Sequence, residues 1–314
     1  MTPTASDPIR TAVVGYGNSA RIIHRALLES QSGFEITAVV TTRPAARDAS
    51  RRAGLSVVAS IQEAARAGAT LAVICLPDSM HEDAALEALK AGMHISLEKP
   101  AAPTSAAVAR IDRLARDRRR IASVFHNRRW DDDVLTAADL VATGELGAIE
   151  RYSATLGAWN PDVGSGWRDR PRPGGVDGRL GDLGSHLVDQ AVQLFGPVSD
   201  VFAHVTTMRP GSRVNDDCML LLSHASGVRG ELLASSARPL HGPRLEVQGR
   251  DAAFVSHGSD PQDVQLRDGL SPRSERWGRR PPGSPPALLM RPGARSETVE
   301  RRAGKWQSYY EELR

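Results

Sequence analysis

The chain has 314 residues, of which 40% are hydrophobic and 25% are charged. This composition is typical of an ordinary globular protein, and the length is sufficient for two hydrophobic cores of usual domain size. Forty Lys and Arg residues nearly balance 37 Asp and Glu residues, for a net charge of +3. Charge alone therefore predicts neither a nucleic-acid partner nor a membrane-surface partner.

The two cysteines, Cys75 and Cys218, lie far apart in the sequence and show no CxxC spacing. Neither a disulfide framework nor a structural zinc site is indicated. The first residues, "MTPTASDPIR", lack a basic region followed by an apolar run, and no apolar stretch approaches the ~18 residues of a membrane span. The prediction is a cytoplasmic protein with neither a membrane nor a nucleic-acid partner.

Short apolar runs alternate with helix-like stretches in the first half of the chain. "TAVVG", "ARIIHRALLES" and "FEITAVVTT" form a strand, a helix and a strand in that order. The pattern continues with "LAVICLP", "HEDAALEALKAG", "HISLEKP", "SAAVARIDRLARDRR" and "IASVFH". Continuous apolar strands between amphipathic helices predict an α/β fold with a parallel sheet covered on both faces.

The turn after the first strand reads "GYGNSA". Gly15 allows a tight turn, Gly17 lets the backbone approach a pyrophosphate, and the small Ala20 permits close packing of the helix on the strand. An ordinary glycine turn is the alternative. With a strand before it and a helix and second strand after it, the motif predicts dinucleotide binding.

The end of the second strand indicates which dinucleotide is preferred. An NAD-selective site usually carries Asp or Glu there, to bind the ribose hydroxyls. This chain has Thr41, Thr42 and Arg43 instead, and two hydroxyls with a guanidinium suit a 2′-phosphate. NADP(H) is the predicted cofactor, with NAD(H) as the open alternative and a solvated helix start as the other explanation of Arg43.

A lysine follows the predicted strand in "SLEKP". Open α/β folds bind ligands at the carboxyl ends of their strands, so Lys99 would point toward the crevice. Pro100 restricts Lys99 to extended backbone geometry. A surface lysine is the alternative.

The segment "LGDLGSHLVDQAVQ" places Asp182, His186 and Asp189 at spacings of four and three, which stack on one helical face. A solvated stripe on an amphipathic helix is one interpretation. A metal pair is another, but no HExxH motif or Cys/His cluster supplies further ligands, so no metal is predicted. In the third, His186 is a base for a substrate hydroxyl, Asp182 orients its ring or stabilises the imidazolium, and Lys99 stabilises developing alkoxide charge or helps to relay the proton.

Four motifs in the same order resemble the Gfo/Idh/MocA oxidoreductases: "GYGNSA", "EKP", "FHNRRWDDDVLTAADLVATGELGAI" and "DLGSHLVDQ". The similarity runs from about residue 9 to the last residue and is greatest to the branch that contains NADP-dependent scyllo-inositol dehydrogenase. It implies a Rossmann dinucleotide-binding domain at residues 1–124. It also implies a substrate-binding α/β domain at residues 125–314, whose open, largely antiparallel sheet mediates a homodimer or a dimer of dimers.

The resemblance also implies roles for particular residues. The expected catalytic residues are Lys99, Asp182 and His186. Residues expected at the cofactor are Gly15, Tyr16, Gly17, Asn18, Ser19, Ala20, Thr42, Arg43, Leu76, Pro77, His81, Glu98, Lys99 and Asn127. Residues expected at the substrate are Lys99, Asn127, Trp159, Trp167, Arg168, Asp182 and His186.

The implied reaction interconverts a secondary alcohol and a ketone on a cyclic polyol, sugar or sugar-like molecule, with NADP(H) carrying the hydride. Two alternatives stay open: a catalytically silent nucleotide-binding sensor on the same fold, and a metal-dependent isomerase. Retention of Lys99, Asp182 and His186 together favours the dehydrogenase.

Four further expectations concern local features. Gly181 replaces a larger residue of relatives, which predicts a more open pocket wall. The terminal "KWQSYYEELR" resembles the start of a helix that relatives continue, which implies a shortened second domain. The Pro-rich stretch "SPRSERWGRRPPGSPPALLMRPGARSE" predicts an exposed connection. Asp216 and Asp217 predict a solvated turn.

Overall fold

A computed structural model describes residues 7–164, 166, 169–239 and 242–314. In the first part of the described chain, six strands form a parallel sheet in the order β3-β2-β1-β4-β5-β6. Their bounds are β1 (Ile9–Val14), β2 (Phe34–Val40), β3 (Val57–Val58), β4 (Leu71–Ile74), β5 (His94–Leu97) and β6 (Ala122–Val124). The strand order reverses between β1 and β4, which opens a crevice at their carboxyl ends. The predicted Rossmann domain is confirmed.

Helices cover both faces of this sheet. A π-helical segment, Ser19–His24, leads directly into α1. The helices of this half are α1 (Arg25–Glu29), α2 (Pro44–Arg52), α3 (Ile61–Arg66), α4 (His81–Lys90) and α5 (Ser105–Asp117). Ser60 and Thr104 begin α3 and α5 by accepting hydrogen bonds from the backbone N–H groups of Glu63 and Ala107, as helix-capping residues do.

The second part of the described chain forms an eight-stranded mixed sheet in the order β14-β13-β12-β11-β7-β10-β9-β8. Its strands are β7 (Ile149–Gly157), β8 (Val198–Thr206), β9 (Asp217–His224), β10 (Arg229–Ser235), β11 (Leu245–Gly249), β12 (Ala253–Ser256), β13 (Ala287–Met290) and β14 (Glu297–Val299). Strands β7 and β10 pair in parallel, and the other neighbours are antiparallel. The open, largely antiparallel sheet predicted from the sequence is therefore confirmed.

Four helices accompany this sheet in the described chain: α6 (Asp132–Ala142), α7 (Ser185–Phe195), α8 (Gln262–Arg267) and α9 (Ser308–Leu313). Apolar residues of α6 and α7 pack on one face of the sheet, where the Tyr152 and Phe195 rings stack at 4.1 Å between centroids. Among the described helices, none is long and apolar enough to cross a bilayer.

Helix α9 returns to the first sheet. Tyr309 and Tyr310 are buried with Phe34 and Phe125 in one apolar cluster on a face of that sheet. We propose the domain boundary at residues 124–125, because β6 ends at Val124, with α9 as an arm of the second domain that packs on the first.

The prediction of an exposed Pro-rich connection is wrong in two places. Residues 287–290 form strand β13 within the second sheet. Trp277 is buried, and its indole Nε1 donates to Gln307 Oε1 at 2.8 Å. Proline and arginine content predicted solvent exposure, but tertiary contacts supply partners for the side chains of this segment.

The prediction of a solvated turn at Asp216 and Asp217 is also wrong. Asp216 is fully buried and accepts hydrogen bonds from Arg209 Nε at 2.9 Å and from the Met208 backbone N–H at 2.7 Å. Asp217 accepts two hydrogen bonds from Arg238. Each carboxylate is buried because a guanidinium neutralises it, and the sequence does not show that pairing.

Replacing Asp216 by alanine should lower the free energy of unfolding by about 3 kcal/mol, because the Arg209 guanidinium then remains buried without this carboxylate. Urea denaturation measures the change. Asp200→Ala is the matched control, since Asp200 is an exposed carboxylate on β8, and it should change stability by less than about 0.5 kcal/mol. Equal stabilities of the two variants would contradict the expected role of the buried pair.

Candidate functional site

The candidate site lies at the carboxyl edge of the parallel sheet. The predicted residues that follow β1, β2, β4, β5 and β6 in the sequence all reach this edge, because parallel strands end on the same side. The second domain adds residues from the start of α7. Segments that follow five strands of the first sheet thus meet the start of α7 at one crevice.

The glycine turn after β1 fits a dinucleotide pyrophosphate. Gly15 has φ +86°, and a Cβ there would lie 2.8 Å from the Cys75 carbonyl oxygen, so only glycine is accommodated. A Cβ at Gly17 would meet open space, which leaves room for a ligand against the backbone. Ala20 is fully buried under the turn. The N–H groups of the first helical turn have no intrahelical partners and attract anions.

The other residues predicted in this turn differ in exposure. Asn18 is exposed and Ser19 is partly exposed, whereas the Tyr16 side chain is buried. Tyr16 packs in the apolar cluster with Leu27 and Phe34. Any contact of Tyr16 with a cofactor would therefore come from its backbone.

The end of β2 presents basic and hydroxyl groups. Thr42 and Arg43 are exposed, whereas Thr41 is buried and its Oγ1 accepts a hydrogen bond from the Arg43 backbone N–H at 3.3 Å. Arg47, one helical turn later, donates to the Thr41 carbonyl oxygen at 3.4 Å. Arg47 was not predicted, although it follows Arg43, the residue before α2, by one helical turn.

The loops after β4 and β5 are joined by His81. Its ring is buried, with Nδ1 2.9 Å from the Pro100 carbonyl oxygen and Nε2 2.9 Å from the Leu76 carbonyl oxygen. The Lys99–Pro100 peptide bond is cis. His81 therefore fixes the position of the loop that contains Leu76 and Pro77, rather than offering its ring to a ligand.

Lys99 and Asp182 form an ion pair between the two domains. Lys99 Nζ donates to Asp182 Oδ1 at 2.8 Å and to the Asp182 carbonyl oxygen at 2.7 Å. Both side chains are largely buried. Two of the three Lys99 donors are used in these contacts, which leaves one for a ligand.

His186 is the third predicted catalytic residue, and it is buried at the start of α7. Within the described chain, its Nδ1 has no hydrogen-bond partner. Burial, together with the nearby Lys99 charge, holds the pKa of His186 well below its ordinary value of 6.5. The imidazole is therefore neutral at neutral pH and able to accept a proton.

The role of Asp182 toward His186 stays a prediction, since in the described structure the Nδ1 of His186 has no hydrogen-bond partner. Asp182 binds Lys99. Its segment, Leu180–Gly184, is π-helical, and a π-helix closes its hydrogen bonds over five residues, so a spacing of four no longer stacks side chains directly.

Asp189, the last member of the predicted stripe, belongs to a different group. Arg129 donates to both of its oxygens at 2.8 and 2.7 Å. His126 Nε2 lies 3.8 Å from Asp189 Oδ1, and the His126 and His186 rings are 6.1 Å apart, edge to face. Sequence reasoning missed His126 and Arg129, although both lie in the quoted "FHNRRW" motif.

The remaining predicted residues have varied positions. Asn127 is buried directly after the end of β6, and Trp159 is about half exposed, at 51%. Trp167 and Arg168 lie outside the described residues. The predicted open wall at Gly181 is wrong, because a Cβ there would lie 2.6 Å from the Val176 carbonyl oxygen.

A second interdomain contact was not foreseen. Arg172 Nη1 lies 2.5 Å from Asp78 Oδ1, and the Val176 backbone N–H donates to Asp78 Oδ2 at 2.5 Å. This contact joins the loop before α7 to the loop after β4. Among the described residues, no group of His, Cys, Asp and Glu side chains is arranged to hold a metal ion.

Two family models match the chain. Residues 9–126 match an oxidoreductase family with an NAD-binding Rossmann fold, and residues 134–255 match the GFO/IDH/MocA C-terminal domain. The first match covers the parallel sheet and supports a nicotinamide cofactor, and the second covers most of the strands of the mixed sheet.

Characterised relatives cover most of the chain. It is 31% identical over 312 residues to the scyllo-inositol 2-dehydrogenase (NADP(+)) IolW of Bacillus subtilis, covering 98% of this chain and 86% of that protein. The D-glucoside 3-dehydrogenase of Escherichia coli is 28% identical over 207 residues, covering 63% and 58%. A structure of YvaA from Bacillus subtilis matches with a TM-score of 0.91 at 30% identity, covering 99% and 89%. The chain therefore belongs to the Gfo/Idh/MocA family and is an oxidoreductase.

Proposed function

We propose that this oxidoreductase uses NADP(H) to interconvert a secondary alcohol and a ketone on a cyclic polyol, sugar or sugar-like molecule. One observation carries the proposal. The Lys99 ammonium is held by Asp182 at the same sheet edge as the glycine turn. Together with burial, its positive charge lowers the pKa of His186, so the His186 imidazole is neutral. A cation and a proton acceptor beside a dinucleotide site are the groups that alcohol oxidation needs.

The protein groups have separate tasks in this reaction. A nicotinamide dinucleotide held at the turn of Gly15 and Gly17 would supply the hydride chemistry at the carbinol or carbonyl carbon. Neutral His186 accepts the hydroxyl proton in oxidation and returns it in reduction. The third donor of Lys99 binds the reacting oxygen and stabilises the negative charge that develops on it.

The substrate class is supported by the relatives and by the residues around the crevice. The two named relatives are dehydrogenases of an inositol and of a glucoside. Trp159 precedes the loop that contacts Asp78, and its half-exposed indole offers an apolar surface suited to sugar C–H groups. Asn127, buried beside the end of β6, would donate or accept hydrogen bonds there.

The test begins with fluorescence titration of the protein with NADPH and with NADH. A panel of inositols, aldoses and keto-sugars is then assayed with wild type and His186→Ala. Tight NADPH binding with turnover that is lost in His186→Ala supports the proposal. Binding without turnover across the panel would favour a nucleotide sensor, and failure to bind either nucleotide would refute the proposed function.

Cofactor preference is expected to depend on the basic residues after β2. Arg43→Ala should weaken NADPH binding about tenfold and leave NADH binding unchanged, because a charge-assisted contact to the 2′-phosphate is worth at least about 1.4 kcal/mol. Titration of both nucleotides measures the ratio of dissociation constants. Arg47→Ala tests the second guanidinium, and Arg52→Ala, at the other end of α2, is the control. An unchanged NADPH/NADH ratio in Arg43→Ala would argue against 2′-phosphate recognition at this site.

We also propose that the chain forms a homodimer through the second sheet. Strand β8 lies at the edge of that sheet and exposes Val201 and Phe202 at 62% and 61%. Large apolar side chains on an uncovered strand favour association with another protein surface.

A further inference from the structure

A buried series of hydrogen bonds connects helix α9 to the glycine turn. The Tyr310 hydroxyl lies 2.6 Å from His24 Nδ1, and His24 Nε2 lies 3.0 Å from Glu98 Oε1. The Ser19 hydroxyl donates to the same Glu98 oxygen. His24 and Tyr310 are both fully buried. Four side chains from three distant parts of the sequence therefore form one polar series inside the protein.

The direction of each hydrogen bond follows from the charge of Glu98. Burial opposes that charge, but the hydrogen bond from His24 and the nearby Lys99 lower the pKa of Glu98 to about 2. An ionised carboxylate only accepts hydrogen bonds, so His24 carries a hydrogen on Nε2. The Nδ1 of His24 then faces the Tyr310 hydroxyl at 2.6 Å. Burial raises the pKa of Tyr310 well above its ordinary value, so its hydroxyl keeps its hydrogen and is able to donate it to Nδ1.

Glu98 joins two parts of the proposed cofactor and catalytic site. Its Oε1 binds Ser19 of the turn after β1, and its Oε2 accepts the backbone N–H of Lys99 at 3.1 Å, after β5. Strand β4 separates β1 from β5 in the sheet, so no backbone ladder fixes the distance between these two loops. The Glu98 carboxylate connects the two loops through its hydrogen bonds to Ser19 and to the Lys99 backbone.

We propose that His24 and Tyr310 are positioning residues, which hold Glu98 in the orientation that sets the glycine turn relative to Lys99. The inference rests on the proposed function, since it assumes that the turn binds the nucleotide. Both residues are fully buried and act through Glu98 rather than by touching cofactor or substrate. Helix α9 belongs to the second domain but thereby supports the site of the first.

Helix α9 offers a matched pair of variants. Tyr310→Phe removes the hydroxyl that binds His24 but keeps the ring, which packs against Phe34 and Phe125 at 5.4 and 6.0 Å. Tyr309→Phe removes a neighbouring buried hydroxyl that lies 2.9 Å from Ser96 Oγ. We expect Tyr310→Phe to raise the dissociation constant of NADPH about fivefold to tenfold, as loss of one hydrogen bond does. Tyr309→Phe should stay within about threefold of wild type.

Position 24 allows a test by rescue. The amide nitrogen of His24→Gln replaces Nε2 and keeps a donor for Glu98, whereas the shorter amide of His24→Asn replaces only Nδ1. We expect the glutamine variant to bind NADPH within about threefold of wild type and the asparagine variant to bind at least about tenfold more weakly. A purely structural role would not distinguish these two amides in cofactor affinity. Thermal unfolding verifies that each variant is folded.

The tautomer of His24 gives a measurement that needs no nucleotide. In the ¹⁵N spectrum of histidine-labelled protein, His24 should carry a hydrogen on Nε2 in wild type and should keep it there in Tyr310→Phe, because Glu98 still accepts it. An Nδ1–H tautomer in wild type would overturn the inference. If wild type binds NADPH but all four variants bind it equally well, or if Tyr309→Phe is as weak as Tyr310→Phe, the inference fails while the proposed function stands. If wild type binds neither nucleotide, both fail.

Discussion

Lys99→Met is expected to lower kcat by about 100-fold to 1,000-fold, because it removes the cation that stabilises developing oxyanion charge. The effect should be larger on kcat than on NADPH binding. Lys99 Nζ contacts Asp182 of the second domain, whereas the glycine turn is formed by the first. The measurement is steady-state turnover at saturating NADP(H) with the substrate identified from the panel, together with a fluorescence titration of NADPH.

Two further variants separate chemistry from stability in this experiment. Lys90→Met removes an exposed lysine at the end of α4 and should leave kcat unchanged. Lys99→Met leaves the buried Asp182 carboxylate without this cation, which costs stability. The double variant Lys99→Met/Asp182→Asn removes both charges and should recover part of the stability without recovering kcat. Full recovery of kcat in the double variant would show that Lys99 has only a structural role.

His186→Asn is expected to lower kcat by about 100-fold or more, since general acid–base catalysis contributes about 10²–10⁴ to such rates. The pH profile gives the more specific test. His186 acts as a base in its neutral form, which predominates above its pKa, and burial with the nearby Lys99 charge holds that pKa well below 6.5. For alcohol oxidation, kcat/KM in wild type should therefore be flat near neutral pH and fall only in acid. The residual kcat/KM of His186→Asn should not show this fall at acid pH, which we call the acid limb.

His126 is the matched control for His186. It is also a largely buried histidine with an unpartnered Nδ1 in the described structure, and burial lowers its pKa as well. Its Nε2 lies 3.8 Å from Asp189 Oδ1, and the Asp189 charge raises the pKa of His126, whereas the charges around His186 lower the pKa of His186. His126→Asn should therefore keep the acid limb and most of kcat. If the limb disappears in His126→Asn and persists in His186→Asn, the roles assigned to the two rings are exchanged.

The lowered pKa of His186 also makes the stability of the fold depend on pH. The folded protein holds His186 neutral at pH values where the unfolded chain, with an ordinary pKa near 6.5, already binds a proton. The unfolded state then binds more protons than the folded state as the pH falls below about 6.5, so acid lowers the free energy of unfolding. His186→Asn should show less of this loss than wild type between neutral and mildly acidic pH.

Local sequence patterns predicted the parts of the site that depend on nearest neighbours. The glycine turn needs φ > 0 at Gly15 and a small residue at Ala20, and both requirements are visible in six letters of sequence. Lys99 follows an apolar strand, so its position at the sheet edge follows from strand direction alone. The absence of an acidic residue after β2 is equally local. These features are read from the order of residue types along one strand and turn.

The pairing of charged groups could not be predicted in the same way. Helical spacing suggested that Asp182 would serve His186, yet its carboxylate contacts Lys99, which is 83 residues away in the sequence. The π-helical segment that changes the spacing leaves no composition signal. Asp216 and Asp217 look like solvated acids because their partners, Arg209 and Arg238, are identified only when the strands have been packed.

The sequence by itself determined the alternation of strands and helices in the first domain and the glycine turn, because period and residue size act over a few positions. Tertiary structure decided which groups meet. It brought Asp182 to Lys99 and placed Tyr310 behind His24. A buried charge or hydroxyl is stable only beside a partner that satisfies it, and the choice of partner depends on the packing of the whole chain rather than on neighbours in the sequence.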